Sequence, residues 1–231
     1  MPLLSVQKDD GVSTITLDDG KVNALSPEMI AEIGDALDTA ESHGGTVVLR
    51  GREGIFSAGF SLPVLQGGGP EAAGMLAAGF DLAQRMLAFP APIVIACTGH
   101  AIAMGSFLLL SGDYRIGVRG PFKITANEVA IGLTLPHAAV EICRHRLTPA
   151  HFHRAVALAE VFSPDGALAA GFVDAVVDAA ELDDTIVATV TILSGLNRAA
   201  HAATKLRARA SALEAIDAAL ELDGFKRLQS S

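Results

Sequence analysis

The chain of 231 residues contains no tryptophan, one tyrosine and two cysteines, and only 19% of it is Asp, Glu, Lys or Arg. Each shortage excludes something. Cys97 and Cys143 lie in apolar periodic stretches without metal-type spacing, which fits small buried thiols in a reducing compartment better than a disulfide. No lysine- or arginine-rich run offsets the formal net charge of −9, which argues against nucleic acid and anionic membrane surfaces as partners. No apolar run is long enough to span a bilayer. The richest stretch, residues 93–118, is broken by Gly99-His100, Gly105, Ser111-Gly112-Asp113 and Arg115 into pieces of about ten residues, against roughly 20 required. The start, MPLLSVQKDDG, lacks the cationic flank and long apolar region of a signal peptide, which predicts a cytoplasmic protein.

What the chain does have is material for a core: half of it is hydrophobic. The turn signal Asp9-Asp10-Gly11 between Leu3–Gln7 and Val12–Leu17 predicts a hairpin. Ser26-Pro27 opens a helix with Ile30, Ile33 and Leu37 on one face, stopping at Gly44-Gly45, and Thr46–Arg50 is a strand. Residues 51–62, GREGIFSAGFSL, read as a loop, and Gly67-Gly68-Gly69-Pro70 as a flexible one. A helix over Glu71–Ala88 ends at Phe89-Pro90. Then come a buried strand (Ile93–Thr98), a small-residue turn and an apolar helix from about Met104. Short strands at Tyr114–Val118, Phe122–Thr125 and Phe172–Val177 and helices after Pro136, Thr148-Pro149 and Ser163-Pro164 follow. From Leu182 the pattern is helical, with Leu182, Ile186, Val190 and Leu193 on one face, then Leu206, Leu213, Ile216 and Leu220. The expected organisation is an alternating α/β core over residues 1–177 and a helical region over 178–231.

Two Gly-containing segments precede or begin helices, Ser57-Ala58-Gly59-Phe60 and Ala103-Met104-Gly105-Ser106, and each can aim backbone N–H groups at an oxygen. Taken alone, either is an ordinary tight turn. No G-x-G-x-x-G follows a strand and no P-loop lysine occurs, so dinucleotide and nucleotide-phosphate readings fail. Glu128 is the only carboxylate in an uncharged neighbourhood, and burial among Val129, Ala130 and Ile131 is expected to raise its pKa.

Five segments in order carry a resemblance: NAL (Asn23–Leu25), VVLRG…IFSAGFSL, FPAPIVIACTGHAIAMGSFLLLSGDYRI, ITANEVAIGLTLP and ALAAGFVDAVV. Together they are similar to the enoyl-CoA hydratase/isomerase (crotonase) superfamily over nearly the whole chain, and most to a short actinobacterial hydratase subgroup. The resemblance implies a crotonase (ClpP-like) ββα spiral with C-terminal helices that build homotrimers, often paired into hexamers. It implies an acyl-CoA thioester as substrate, with coenzyme A part of that substrate and no separate cofactor. The Phe60 and Met104 N–H groups, in the AG-F and AMG-S turns, match the family's oxyanion hole. Gly59 and Gly105 in those turns, with backbone around Ala24, Ser57 and Ala58, match the family's hold on the acyl-CoA substrate.

Family hydratases use two glutamates. Counting back from Asp113, the first falls on Phe107, which cannot bind or deprotonate water; the second falls on Glu128. One carboxylate suffices for moving a proton from C2 to C4, so the pattern is similar to the isomerases that convert 3-enoyl-CoA into 2-enoyl-CoA. Hydration with water placed by His137 or Glu141, and acyl-CoA binding without catalysis, stay open. His137 is better read as a helix-start residue, His100 as a structural one, and His145, His151 and His153 match no metal template. Lys205, Arg207 and Arg209 read as a solvated face that can meet coenzyme phosphates.

Overall fold

Asp10 takes a left-handed φ of 36° and Gly11 one of 77°, and the turn they make folds β1 (Leu4–Asp9) antiparallel onto β2 (Val12–Leu17). The computed structural model describes residues 2–225. In chain order β3 (Ala24–Leu25), α1 (Pro27–His43), β4 (Thr46–Arg50), β5 (Gly54–Ser57) and β6 (Gly59–Phe60) follow. Next come α2 (Leu62–Gly67), α3 (Gly69–Ala88), β7 (Ile93–Cys97), β8 (Gly99–Ile102), α4 (Met104–Leu110) and β9 (Tyr114–Val118). The chain then runs through β10 (Ile124–Thr125), α5 (His137–Arg146), α6 (Pro149–Leu158), α7 (Pro164–Ala170), β11 (Ala175–Val177), α8 (Leu182–Ser194) and α9 (Arg198–Leu222).

The main sheet has the order β1-β2-β4-β7-β9-β11, parallel beyond the first pair. Its central strands, TVVLR and IVIAC, are apolar on both pleats because both faces are covered. Val47, Leu49, Ile93 and Ile95 face the cluster that includes α1 and α3; Val48, Val94 and Ala96 face Leu182, Ile186 and Val190 of α8. A second parallel sheet, β10-β8-β5, and the pair β3-β6 stack beside it. Each turn of chain thus returns two short strands and a helix to the same place.

Several expectations change. Residues 51–62 are not a loop: β5 pairs with β8 and β6 with β3, so the small residues let strands approach closely. Gly67–Gly69 is the break between two helices, with φ of 63° at Gly68 and 69° at Gly69. The strands expected at 122–125 and 172–177 shorten to β10 and β11.

The largest correction concerns α9. Leu206 is 46% exposed, whereas Lys205 and Arg209 are buried, so these two are not a solvated face; Arg207 is exposed. Asp113, just past α4, holds them: its carboxylate accepts from Lys205 Nζ at 2.7 Å, from Arg209 at 2.9 Å and from the Ile93 N–H at 2.7 Å. Burial pulls the Lys205 pKa down to about 8, and the facing Asp113 keeps it from falling further.

The far end of α9 caps another helix. Pro136 at the start of α5 offers no side-chain cap, and the Asp223 carboxylate accepts instead from the His137 N–H at 2.9 Å, the Ala138 N–H at 3.0 Å and His137 Nδ1 at 2.8 Å. His137 is therefore a helix-start residue tied to α9. An Asp223→Ala variant is expected to lose about 1 kcal/mol in urea unfolding, the usual worth of an N-cap; an unchanged midpoint would refute the cap.

Cys97 and Cys143 are free and buried. Burial pushes Cys97 up to about 12 and Cys143 higher still, so neither is a thiolate at neutral pH. The native protein should leave an aromatic disulfide reagent untouched and titrate two thiols only after unfolding; a fast-reacting native thiol contradicts this burial.

Candidate active site

β6 packs against the start of α4, which brings the two expected backbone donors, Phe60 and Met104, into one neighbourhood. Along extended backbone successive N–H groups point to opposite sides, and the Ser61 N–H donates across to Leu25 O at 3.2 Å. The Phe60 N–H therefore points away from β3. Met104 is the first residue of α4, whose opening N–H groups have no partner within the helix. Ala103, before it, is held at φ 50° and ψ −125°, a strained conformation for a residue with a Cβ. Its N–H donates to Thr125 O and its carbonyl accepts from the Ser106 and Phe107 N–H groups, which fixes the turn. A Cβ on Gly59 would lie 3.3 Å from Met104 N and 2.8 Å from Ile102 O, so glycine there permits the approach.

A cleft of about 590 Å³ opens at this junction. Ala58, Phe60 and Ala103 line one side, Leu65, Leu76 and Phe80 the apolar wall, and Asn127 and Glu128 the other side. Glu128 precedes a single 3-10 turn, Val129–Ile131, ended by Gly132 with φ 81°. Its Oε2 is shielded from solvent without a hydrogen-bond partner, as is Asn127 Oδ1. Burial pushes the Glu128 pKa up to about 7. The direction matches the sequence reading but the cause differs: Val129 is 44% and Ile131 57% exposed, and Ala130 is exposed too. The carboxylate is shielded because it turns inward from that lip.

Phe107 does not face this opening as a substitute ligand. It is 1% exposed and stacks on Phe80 at 6.1 Å, and Phe80 stacks on Phe225 at 5.6 Å and meets Phe60 edge-on at 6.1 Å. The position is part of the core behind the apolar wall.

The structure brings Ala58, Phe60, Glu128 and Ala103, the residue before α4, to one cleft; Met104 is fully buried and does not line it, and the other expected residues stand behind. Ser57 is fully buried with its hydroxyl bonded to backbone, Gly105 packs on Ser57, and Ala24 pairs with Gly59 away from the wall. Gly67–Gly69 do not line the cleft, whereas Leu65 of α2 and Leu76 and Phe80 of α3 do. Leu76 and Phe80 share a helical face, a signal present in the sequence but indistinguishable there from core packing. Glu141 pairs with Arg144 at 3.2 Å, and neither it nor His137 lines the cleft. His100 accepts from the Lys123 N–H at 3.0 Å. Burial, then Arg146, Arg209 and Arg115, push His145 down to about 4, and His151 bonds Thr148 at 2.8 Å. Among the described residues no three His, Cys, Asp or Glu side chains are grouped to hold a metal.

Residues 7–231 match the enoyl-CoA hydratase/isomerase family. The chain belongs to that family. A solved enoyl-CoA hydratase/isomerase family protein from Pseudomonas syringae is 49% identical, with a TM-score of 0.94 over 96% of both chains. A Mycobacterium tuberculosis protein, called an enoyl-CoA isomerase in one solved structure and a probable enoyl-CoA hydratase in another, is 44% identical in the first, with a TM-score of 0.92 over 96% of this chain and 98% of its own. The crotonase-type fold is thus shared in full. Human mitochondrial enoyl-CoA delta isomerase 1 is 30% identical over 78% of this chain, which spans 61% of the human protein's length and 62% of its mouse and rat counterparts. No helix of this enoyl-CoA hydratase/isomerase family member is long and apolar enough to cross a membrane, among the described residues.

Proposed function

We propose that this family member shifts the double bond of an enoyl-CoA from the 3- to the 2-position, with Glu128 as its one acid/base. The carrying observation is the pairing of a lone inward carboxylate at about 7 with an aromatic, fully packed Phe107 where a second carboxylate would be needed. The thioester oxygen lies on the Phe60 and Met104 N–H groups. Glu128 takes a proton from C2, the electron pair delocalises into the thioester as an enolate, and the double bond re-forms between C2 and C3 as C4 takes the proton back. Preorganised amides in a site shielded from water are worth several kcal/mol to such an enolate. A carboxylate near 7 suits both halves of the transfer at neutral pH.

Coenzyme A enters as part of the substrate and no separate cofactor is required. The acyl group runs along Leu65, Leu76 and Phe80. The outer apolar residues of α8 and α9, Val187 at 65% and Ile192 at 72% exposure among them, suit self-association into trimers or hexamers, measurable by light scattering.

The test is to incubate the protein with a 3-enoyl-CoA in deuterated water. The expected result is conjugated 2-enoyl-CoA at a catalytic rate. Hydration of the 2-enoyl-CoA in place of isomerisation would replace this reading with a hydratase, and tight binding with neither product nor exchange at C2 would replace it with a carrier.

A further inference from the structure

Behind the Phe60 N–H stands a hydrogen-bond relay whose side chains do not line the cleft. The Asp19 carboxylate accepts from the backbone N–H groups of Lys21 at 2.7 Å, Asn23 at 2.8 Å and Ala24 at 3.0 Å. Burial pushes its pKa up, but those three donors outweigh it and hold the carboxyl below its ordinary value. The nest fixes Asn23 at a left-handed φ of 51°, fully buried. Asn23 Nδ2 bridges Leu17 O at 3.0 Å and Phe56 O at 3.1 Å. Its carbonyl accepts the Ser57 hydroxyl at 2.8 Å, and Ser57 Oγ in turn accepts the Gly59 N–H at 3.1 Å. On either side, Ala58 N–H donates to Val22 O at 3.0 Å and Ser61 N–H to Leu25 O at 3.2 Å. Phe60 lies in the middle of this clamp.

Ser57 also packs against Gly105, the residue after the second donor. A Cβ on Gly105 would lie 2.5 Å from Ser57 O and 2.9 Å from Ser57 Cβ, so the first turn of α4 rests directly on this residue. One residue therefore holds Gly59, just before Phe60, by hydrogen bond and Gly105, just after Met104, by packing.

We propose that Ser57, braced by Asn23, is a positioning residue that fixes the spacing and direction of the Phe60 N–H against the Met104 N–H. The proposal rests on the oxyanion role given to those two amides above. Such sites need their groups held to about 0.5 Å and 10–20°, and a misplacement of about 1 Å costs on the order of a hundredfold in rate. In Ser57→Ala the Gly59 N–H loses its acceptor and the chain between Ala58 and Ser61 regains freedom.

The experiment combines kinetics with the infrared carbonyl stretch of a bound short 2-enoyl-CoA carrying carbon-13 at the thioester carbonyl. Wild type should lower that stretch relative to water. Ser57→Ala should lose part of the lowering, with kcat down about tenfold and KM within about twofold. Ser57→Cys, with a weak donor and acceptor in the same place, should fall between, and it serves if the alanine variant does not fold. Ser111→Ala is the control, since it removes an equally buried hydroxyl, bonded to Phe107 O at 2.8 Å, and should change neither reading. Ser57→Ala with wild-type kcat and stretch, or with a loss in KM alone, overturns the relay. A wild-type stretch equal to that in water overturns the oxyanion reading and the relay with it.

Discussion

Under the proposed double-bond shift, Glu128→Gln is expected to cut turnover of a 3-enoyl-CoA by on the order of 10²–10⁴, the usual worth of a positioned acid/base, while KM moves little. Gln keeps the shape of the side chain and cannot accept the proton. Wild-type kcat/KM should fall as pH drops through about 7, because only the ionised carboxylate takes a proton from C2. A variant as fast as wild type, or a flat profile between pH 5.5 and 8.5, removes Glu128 from the mechanism. The same substitution has a second expected result. The folded carboxyl titrates at about 7 against an ordinary 4.5, so the native state holds this proton more tightly than the unfolded one. Its contribution to stability is full below about 4.5 and is lost as pH rises to 7. Above pH 7 the ionised carboxylate costs up to about 3 kcal/mol, less whatever its partial exposure screens. Glu128→Gln should therefore unfold at higher urea than wild type at pH 8, with the gap closing by pH 4.5. A gain in stability accompanying the loss of activity would show that the site carries strain for the sake of chemistry.

Asp113→Ala should be the most damaging single change away from the cleft. Lys205 has 4% and Arg209 9% of its side chain exposed, and the Asp113 carboxylate faces both. Removing it leaves two buried cations without a counter-charge, which typically costs 3–5 kcal/mol. Arg115 and Arg146, nearby, already lower His145 and add positive charge to the same region. The design of the test is a rescue: Asp113→Ala combined with Lys205→Met and Arg209→Met should recover most of the lost stability, since apolar residues of similar length fill the space without any charge to solvate. Equal denaturation midpoints for Asp113→Ala and wild type would mean that the ion pairs contribute nothing. A triple variant no better than the single would assign the damage to the lost acceptor for the Ile93 N–H instead.

These two sites mark the boundary of what local sequence carries. The β1–β2 hairpin, the Ser26-Pro27 helix start and the buried strands are written in turn residues and periodicity that act within a few positions. Glu128 stood out because no other carboxylate lies near it in the chain. Its true shielding, by an inward turn from an exposed lip, was not readable, since the apolar neighbours that suggested burial are themselves at the surface. Lys205 and Arg209 are four apart and so share a helix face, the spacing of a solvated stripe; their partner lies 92 positions earlier for Lys205. The relay through Asn23 and Ser57 spans 34 positions, and the NAL and SAG segments announce turns without announcing that they hold each other. Phe107 was legible as a missing carboxylate, but its stack with Phe80 and Phe225 is a property of the fold.

The cap on α5 bears on how the protein is made. His137 receives its carboxylate from a residue 86 positions later, and Pro136, immediately before it, lines the cleft. At a synthesis rate of about 5–20 residues per second, a growing chain carries this helix start uncapped for roughly 4–17 s after it is translated. During that interval the strands and the two amide donors can already be in place, yet the wall bearing Glu128 is unfinished. That side of the cleft should therefore be completed only when α9 docks on α5.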